Sequence, residues 1–328
     1  MSFVPVLCAS IIISLAAGLV GKAAAAETYA SRPVTMIVPF AAGGPTDTLA
    51  RVVSERMRMS IGQPIIIENA TGAAGTLGVG RAARAAPDGY TIGIGAWNTH
   101  VVNGAVYQLP YDVLKDFEPV GLLANNSHMI VSRNGIPASD LKQLVAWVKT
   151  NQDKASAGTA GVGASSHVSA VFFQNMTGTR FQLVPYRGVG PAIQDLMAGQ
   201  IDLMFDQVSN TLQHVQAGKI RAYAVASKNR LALAADIPTV DEAGLEGFYI
   251  SVWHALWVPK GTPKHIVAAL NSALVETLAD AAVRRRLAEL GQDIPPVEKQ
   301  TPDALAAFHK AEVEKWWPII KAANIKAE

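Results

Sequence analysis

The sequence predicts an α/β protein of two domains, and three observations carry that prediction. Short β-rich apolar runs alternate with stretches of helical period, the pattern of parallel strands covered by helices. Once an apolar leader is set aside, about 300 residues remain, more than one core comfortably serves. The last three helical stretches have no strands of their own, so they are expected to pack back on the first domain. The chain would then cross between the domains twice.

Met1 to Ala26 is nearly all apolar, with Val4 to Val20 as its core and Ala24-Ala25-Ala26 as an A-x-A site. That is the shape of a secretory signal peptide, although its start carries no Lys or Arg. The competing reading is a retained anchor, for which the run is marginal against a hydrocarbon core of about 30 Å. Cys8 is the only cysteine and sits too early for lipid attachment. Residues 27–328 therefore contain none, and disulfides within the mature chain are excluded. A bacterial periplasm fits, and the N-x-S/T sites at Asn69, Asn125 and Asn175 are then incidental. Loss of Lys22 lowers the formal charge from +2 to +1, so nothing favours nucleic acid or a membrane surface.

Val34 to Val38 reads as a strand and Thr46 to Met59 as a helix with Leu49, Val52, Val53 and Met57 on one face. Pro39-Phe-Ala-Ala-Gly-Gly-Pro-Thr46 joins them. Gly44 suits the cap, Pro45 the first helical position, and Asp47 the place from which a carboxylate reaches back to the cap. A strand, a Gly-Gly loop and a helix start form an anion site from backbone N–H groups and the helix dipole. The bland alternative is a tight turn. No Gly-Lys-Ser/Thr follows and no G-x-G-x-x-G is present here, so a small carboxylate remains the natural anion.

Ile65 to Glu68 is a second strand. Asn69 to Gly75 leads into a helix through Ala85, whose Gly78 and Gly80 imply close backbone packing. Tyr90 to Gly95 is a third strand, ending in Trp97-Asn98-Thr99-His100. Strands follow around Val120 to Leu123 and His128 to Ser132, then a helix with Leu141, Leu144, Val145 and Val148 inward. Gly158-Thr-Ala-Gly161-Val-Gly163-Ala-Ser165-Ser166-His167 enters a helix to Thr177. Phe181 to Pro185 is a strand ending in Tyr186-Arg187-Gly188, and Ile201 to Phe205 another, ending at Asp206. Ile220 to Ala226 closes this set. Ser251 to Gly261 is a long extended run, and three helices finish the chain, the last capped by Thr301-Pro302.

Catalysis finds little support. Gly163-Ala-Ser165-Ser-His167 fails the nucleophile elbow at its last position, and adjacent Ser and His side chains rarely face each other. The histidines show no metal-ligand spacing, and no pair of carboxylates stands out as acid and base. Singly, Tyr186 with Arg187 is equally a surface turn, Asp206 a helix cap, Asn98 and Thr99 loop fasteners, and Trp253 and Trp257 core packing. Their joint position in loops at strand ends of both domains favours a shared cleft.

The chain resembles the Bug family, the extracytoplasmic solute receptors of tripartite tricarboxylate transporters. Ser31-Arg-Pro-Val34, Val38-Pro-Phe-Ala-Ala-Gly-Gly-Pro-Thr-Asp47, Ala86-Pro-Asp-Gly-Tyr-Thr91, Leu109-Pro-Tyr-Asp112 and Asp116-Phe-Glu-Pro-Val120 carry the resemblance in the first part. Val184-Pro-Tyr-Arg-Gly188, Pro238-Thr-Val-Asp-Glu-Ala-Gly244, Trp253 and Val258-Pro-Lys-Gly-Thr-Pro263 continue it, so it spans essentially the whole mature chain.

The resemblance implies an α/β, two-lobe periplasmic-binding-protein fold of the Venus flytrap, type II-like kind. Residues 27–125 with 250–328 would form one lobe and 126–249 the other, joined by two crossing segments. It implies a small carboxylate held mainly by backbone groups and waters from Phe40, Ala41, Ala42, Gly43 and Gly44, from Asn98, Thr99 and His100, from Gly161, Gly163, Ser165, Ser166 and His167, and from Tyr186, Arg187 and Gly188. Asp206 matches the family's second-lobe aspartate, a selector at the other end of the ligand. A monomer without cofactor or metal is expected, with the transporter's membrane subunits as partners. One departure is visible: Asn69-Ala-Thr-Gly72 stands where members usually have Asn-Arg-Pro-Gly. A sensory adaptor for a membrane kinase uses the same fold and cleft, and an enzyme acting on small carboxylates is the remaining alternative. Sequence names no particular ligand.

Because Ala24-Ala25-Ala26 follows the apolar run, the exported protein should begin at Glu27. Intact-mass measurement of the periplasmic fraction checks this; a membrane-bound product retaining Met1 would refute it.

Overall fold

The computed structural model describes Met1, residues 29–323 and residues 325–326. The expected leader core, its cleavage site and Cys8 lie outside the described residues. Nine strands are present among those described: β1 (Val34–Val38), β2 (Ile65–Asn69), β3 (Thr91–Ala96), β4 (Phe117–Arg133), β5 (Ser156–Thr159), β6 (Gln182–Pro185), β7 (Leu203–Gln207), β8 (Ile220–Val225) and β9 (Ser251–Pro259). The helices are α1 (Pro45–Ile61), α2 (Thr76–Ala83), α3 (Asn103–Val106), α4 (Leu141–Thr150), α5 (Ser165–Thr177), α6 (Val189–Met197), α7 (Val208–Gln216), α8 (Lys264–Ala279), α9 (Ala281–Glu289) and α10 (Pro302–Ala322). No single helix among the described residues is long and apolar enough to cross a membrane.

The strand order is β2-β1-β3-β9-β4-β7-β5-β6, with β8 also on β4. β1 is parallel to β2 and β3, and β5 to β6 and β7, as alternation with helices predicts. The centre departs from that expectation. β9 runs antiparallel to both β3 and β4, and β4 antiparallel to β7 and β8. These two strands pass in opposite directions between the half-sheets, so they cannot be parallel.

The sequence reads as separate strands around Val120 to Leu123 and His128 to Ser132, with polar Asn125, Asn126 and Ser127 between them. The structure has one, because the polar residues are satisfied without a turn. Residues 117–127 pair with β9, and residues 128–133 pair with β7 or β8. Asn126 is fully buried, donates to the carbonyls of Leu290 (3.2 Å) and Gly291 (2.9 Å), and accepts from Ser209 N–H (3.3 Å). Asn125 exchanges backbone hydrogen bonds with Asp293.

The late helices return to the first half-sheet. α8 packs on α1 and β4, and Asn271 of α8 donates to Val120 O (2.8 Å). α1 is tied to them by Arg56–Asp280 (3.1 Å) and Ser60–Glu276 (2.6 Å). α10 lies on β4 and on a wide π-type turn, Asn98–Val102, that follows β3. A β1/β3/α1/α8 core includes Met36, Leu49, Val53, Ile92 and Leu270, and a second core under β4, β7 and α6 includes Met129, Ile193 and Met204. An aromatic core containing Trp97, Trp253, Trp257, Phe173 and Phe205 runs between them.

Gly78 shows why α2 carries glycine. A Cβ there would sit 2.5 Å from Ala70 O and 2.9 Å from Pro39 Cα, both backbone atoms. Gly78→Ala should therefore force the helix off the sheet, costing about 1–3 kcal/mol and lowering the melting temperature by several degrees. Gly190→Ala, where a Cβ meets nothing within 4 Å in a helix, should be neutral or slightly stabilising. Thermal melts of both variants check the contrast; equal losses would mean that α2 tolerates the methyl group.

Candidate ligand-binding cleft

The loops at the carboxyl ends of the parallel strands in both half-sheets converge on one cleft of about 1260 Å³. The loop after β1 supplies Phe40 through Thr46. Gly44 is the N-cap of α1 in extended backbone (φ −79°, ψ 171°), and Pro45 opens the helix. Gly43 has φ +82°, a left-handed position that favours glycine. Asp47 is 1 % exposed and accepts from Gly43 N–H (2.8 Å), Asn69 Nδ2 (2.9 Å) and Arg51 Nε (2.8 Å). Burial works to raise its pKa, but the hydrogen bonds from Arg51, Gly43 and Asn69 outweigh it and hold the carboxyl below the usual range. Its charge is thus spent on the loop. The N–H groups of Ala41 and Ala42 donate to no protein acceptor among the described residues. The positive end of α1 lies beside them, an arrangement of the kind that can cradle an anion without a formal counter-charge.

The loop after β3 divides. Asn98 lines the cleft. Thr99 and His100 do not, because both are fastened beneath it. Thr99 Oγ1 accepts from Ala96 N–H (2.9 Å) and donates to Ala96 O (3.0 Å). His100 stacks on Trp257 with ring centroids 3.7 Å apart and planes 9° from parallel. Burial, with His309 nearby, lowers its pKa well below the ordinary value, so it is a neutral core residue.

From the second half-sheet, the loop between β5 and α5 contributes Gly161, Ser165 and His167. Ser166 is excluded: it is 1 % exposed and its Oγ accepts from Ala160 N–H (2.9 Å). Gly163 (φ +80°) is also outside the cleft wall, since a Cβ there would meet Tyr107 at 3.0 Å and Asn103 Oδ1 at 3.1 Å. These are contacts from the opposite half. Tyr107 donates through its hydroxyl to Val162 O (2.6 Å), joining the two halves across the cleft. His167 has its pKa lowered by burial, and no hydrogen bond joins it to Ser165 or Ser166, so the Ser-Ser-His run is not a catalytic pair.

The loop after β6 places Tyr186, Arg187 and Gly188 on the wall. Tyr186 is held by its hydroxyl on Asp195 (2.7 Å), while Arg187 is exposed and makes no ion pair among the described residues. Asp206 lies within β7 and is not a helix cap; Gln207 holds that position for α7. Asp206 is 1 % exposed. One oxygen accepts from Asn210 Nδ2 (2.5 Å) and the other has no protein partner. Burial pushes its pKa up to about 6, against the lowering effect of Asn210 and Gln207 N–H.

Sequence reasoning missed several cleft residues. Thr71 to Gly75 follows β2 in the same strand–loop–helix arrangement, and its two glycines were the available signal. Ala73 and Ala74 there take φ +45° and +52°, uncommon for residues with a Cβ. Thr46 was read only as a helix start. Tyr107, Val252 and Lys326 come from elements whose patterns show nothing of a cleft. Among the described residues, no cluster of three or more His, Cys, Asp or Glu side chains is placed to hold a metal ion.

Comparison with known proteins fits this geometry. A family model described as "Tripartite tricarboxylate transporter family receptor" matches residues 49–325. The solved structure of the periplasmic binding protein BugD is 40% identical, covers 91% of this chain and 100% of its own, and superposes with a TM-score of 0.86. MatC from Rhodopseudomonas palustris, solved with bound malate, is also 40% identical, with coverage of 89% and 100% and a TM-score of 0.85. A further R. palustris protein, solved with adipate, is 30% identical, with coverage of 91% and 100% and a TM-score of 0.86. The fold is the α/β periplasmic-binding-protein fold, and the chain belongs to the tripartite tricarboxylate transporter receptor family, whose members are solute-binding proteins and not enzymes.

Proposed function

We propose that this receptor works in the periplasm, closes its lobes, 27–125 with 250–328 and 126–249, around a small carboxylate, and presents it to the membrane subunits of a tripartite tricarboxylate-type transporter. The observation that carries the proposal is the meeting of glycine-rich loops from both half-sheets at one cleft, with unmatched backbone N–H groups at Ala41 and Ala42 beside the start of α1. Such donors fit a carboxylate without a formal counter-charge. The relatives solved with malate and adipate make those two acids the first to try. The cleft volume of about 1260 Å³ exceeds what a four- to six-carbon acid fills, so binding should draw the lobes together. Phe40 to Gly44, Asn98, Gly161, Ser165, His167 and Tyr186 to Gly188 are the proposed contacts, with Asp206 as selector.

Only the carboxylate form exploits these donors; an amide leaves some unpaired, at about 1–3 kcal/mol. In calorimetry the protein should bind an organic acid from a panel of mono-, di- and tricarboxylates and amino acids, and bind its amide some tenfold or more weakly. Gly44→Leu should weaken every acid bound, Asp206→Ala should change which acid is preferred, and small-angle scattering should show a smaller radius of gyration with ligand. An amide bound as tightly as its acid would refute recognition by these loops.

Asp206 also sets a pH dependence. Its folded pKa of about 6 lies above the ordinary 3.8, so the folded state holds the proton more tightly than the unfolded chain. The stability this contributes is complete below about pH 4 and is lost as pH rises through 6. Asp206→Asn does not ionise and escapes that loss. Relative to wild type, its melting temperature should therefore gain steadily between pH 4 and 7 and level off above. A difference that stays constant across this range would show that Asp206 titrates normally.

A further inference from the structure

His254 lies on β9, opposite Ala124 of β4 and Ala96 of β3, and is fully buried. Its Nε2 is 3.1 Å from Oγ1 of Thr46, the second residue of α1 and part of the cleft wall. Its Nδ1 has no protein partner. Either atom of the Thr46–His254 pair can be the donor, so the tautomer of the ring decides what the hydroxyl does.

A buried N–H left without an acceptor is rarer than a buried acceptor without a donor. The neutral ring should therefore carry its proton on Nε2 and leave Nδ1 bare. Two other buried histidines of this protein follow that rule where the hydroxyl direction is fixed independently. Ser169 donates to Ser165 O (2.8 Å), so His128 must donate from Nδ1 to Ser169 Oγ (2.9 Å), and its unpartnered Nε2 is the bare nitrogen. Thr99 donates to Ala96 O, so His100 must donate from Nδ1 to Thr99 Oγ1 (3.0 Å), and again the unpartnered Nε2 is bare. Applied to His254, the rule makes Nε2–H the donor and Thr46 Oγ1 the acceptor. The Thr46 hydroxyl proton then has no acceptor within the protein among the described residues, because His254 is the only side-chain partner of that oxygen.

We propose that His254 is a positioning residue that turns the Thr46 hydroxyl into a hydrogen-bond donor for the ligand's carboxylate. The inference rests on the carboxylate reading above and deepens it by naming a side-chain donor beside the backbone cradle of α1. With an acceptor nitrogen at its back, Thr46 would instead spend its proton on the ring and offer the ligand only lone pairs. Those would repel a carboxylate.

Two measurements test this. Long-range proton–nitrogen NMR correlations of the histidine rings in the purified protein at pH 7 should show His254 neutral and protonated on Nε2; protonation on Nδ1 would overturn the proposal without any ligand. Calorimetry with L-malate and adipate should then show that Thr46→Val, which keeps the shape and removes the hydroxyl, weakens binding roughly tenfold to a hundredfold, whereas Thr46→Ser retains most of it. His254→Gln, whose amide N–H takes the place of Nε2–H, should bind nearly as wild type. His254→Leu should lose about as much as Thr46→Val, and the double variant no more than either. Unchanged melting temperatures exclude misfolding. A wild-type protein that binds no acid in the wider panel would overturn the carboxylate reading itself. A wild-type protein that binds, with Thr46→Val equally tight or with the two losses adding, would overturn the His254–Thr46 proposal alone.

Discussion

Everything in this molecule hangs on the antiparallel pair formed by β4 and β9. The two strands pair from Phe117↔Pro259 to Ser127↔Ser251 and then part company, β4 continuing into the second half-sheet. Two antiparallel connections with a shared hydrogen-bond ladder resist a slide along the crossing, because a slide would break the ladder in register. Asn125 and Asn126 at the crossing are hydrogen-bonded to the segment that ends α9 and follows it, and Asn126 also accepts from Ser209 N–H, so desolvating them there costs little. With the crossing fixed, the parallel strands on either side aim their carboxyl ends at each other. The cleft is a consequence of that geometry.

Within the cleft the chain keeps formal charge away from the α1 cradle. Asp47, the carboxylate nearest the first loop, is neutralised by Arg51 and consumed by Gly43 N–H and Asn69. His167 is held neutral by burial. Charge enters the wall elsewhere, at Arg187, Lys326 and Asp206, the last buried with one unmatched oxygen. Neutral donors and a buried, weakly acidic carboxyl differ as partners, the first favouring negative charge and the second sensitive to hydrogen-bond sense.

How much of this the sequence discloses depends on the range of the interaction. The loop after β1 is legible because its glycines, its proline and its capping aspartate are neighbours in the chain, and each has a local reason to be there. Gly161, Tyr186 and Asp206 come to the cleft wall by the same rhythm of strand, loop and helix. Thr99 and His100 share the loop of Asn98, yet what removes them from the wall is a stack on Trp257 from a strand far along the chain, and a local pattern does not contain it. Gly163 is closed off for a similar reason, against Tyr107 and Asn103, whereas Ser166 is drawn in by the N–H of Ala160 in its own loop. The break imagined within β4 has the same origin, since the partners of Asn126 lie at Leu290 and Gly291.

The wide turn at Asn98–Val102 shows why the chain must return to its first half at all. A π-type turn leaves carbonyls that a regular helix would have used. Two carbonyls of the turn meet donors on α10: His309 Nε2 lies 2.6 Å from His100 O, and Trp317 Nε1 2.9 Å from Val101 O. Glu312 of the same helix accepts from Trp253 Nε1 (3.1 Å), which binds α10 to β9 as well. The position of Asn98 at the cleft is therefore set by side chains more than two hundred residues away, reached only after the second crossing. Had α10 packed on the other half, those carbonyls would lose these two donors, at a cost that disfavours the observed turn. The late helices are thus part of the construction of this cleft-lining turn, which is a physical reason for a chain that leaves its first half-sheet and comes back.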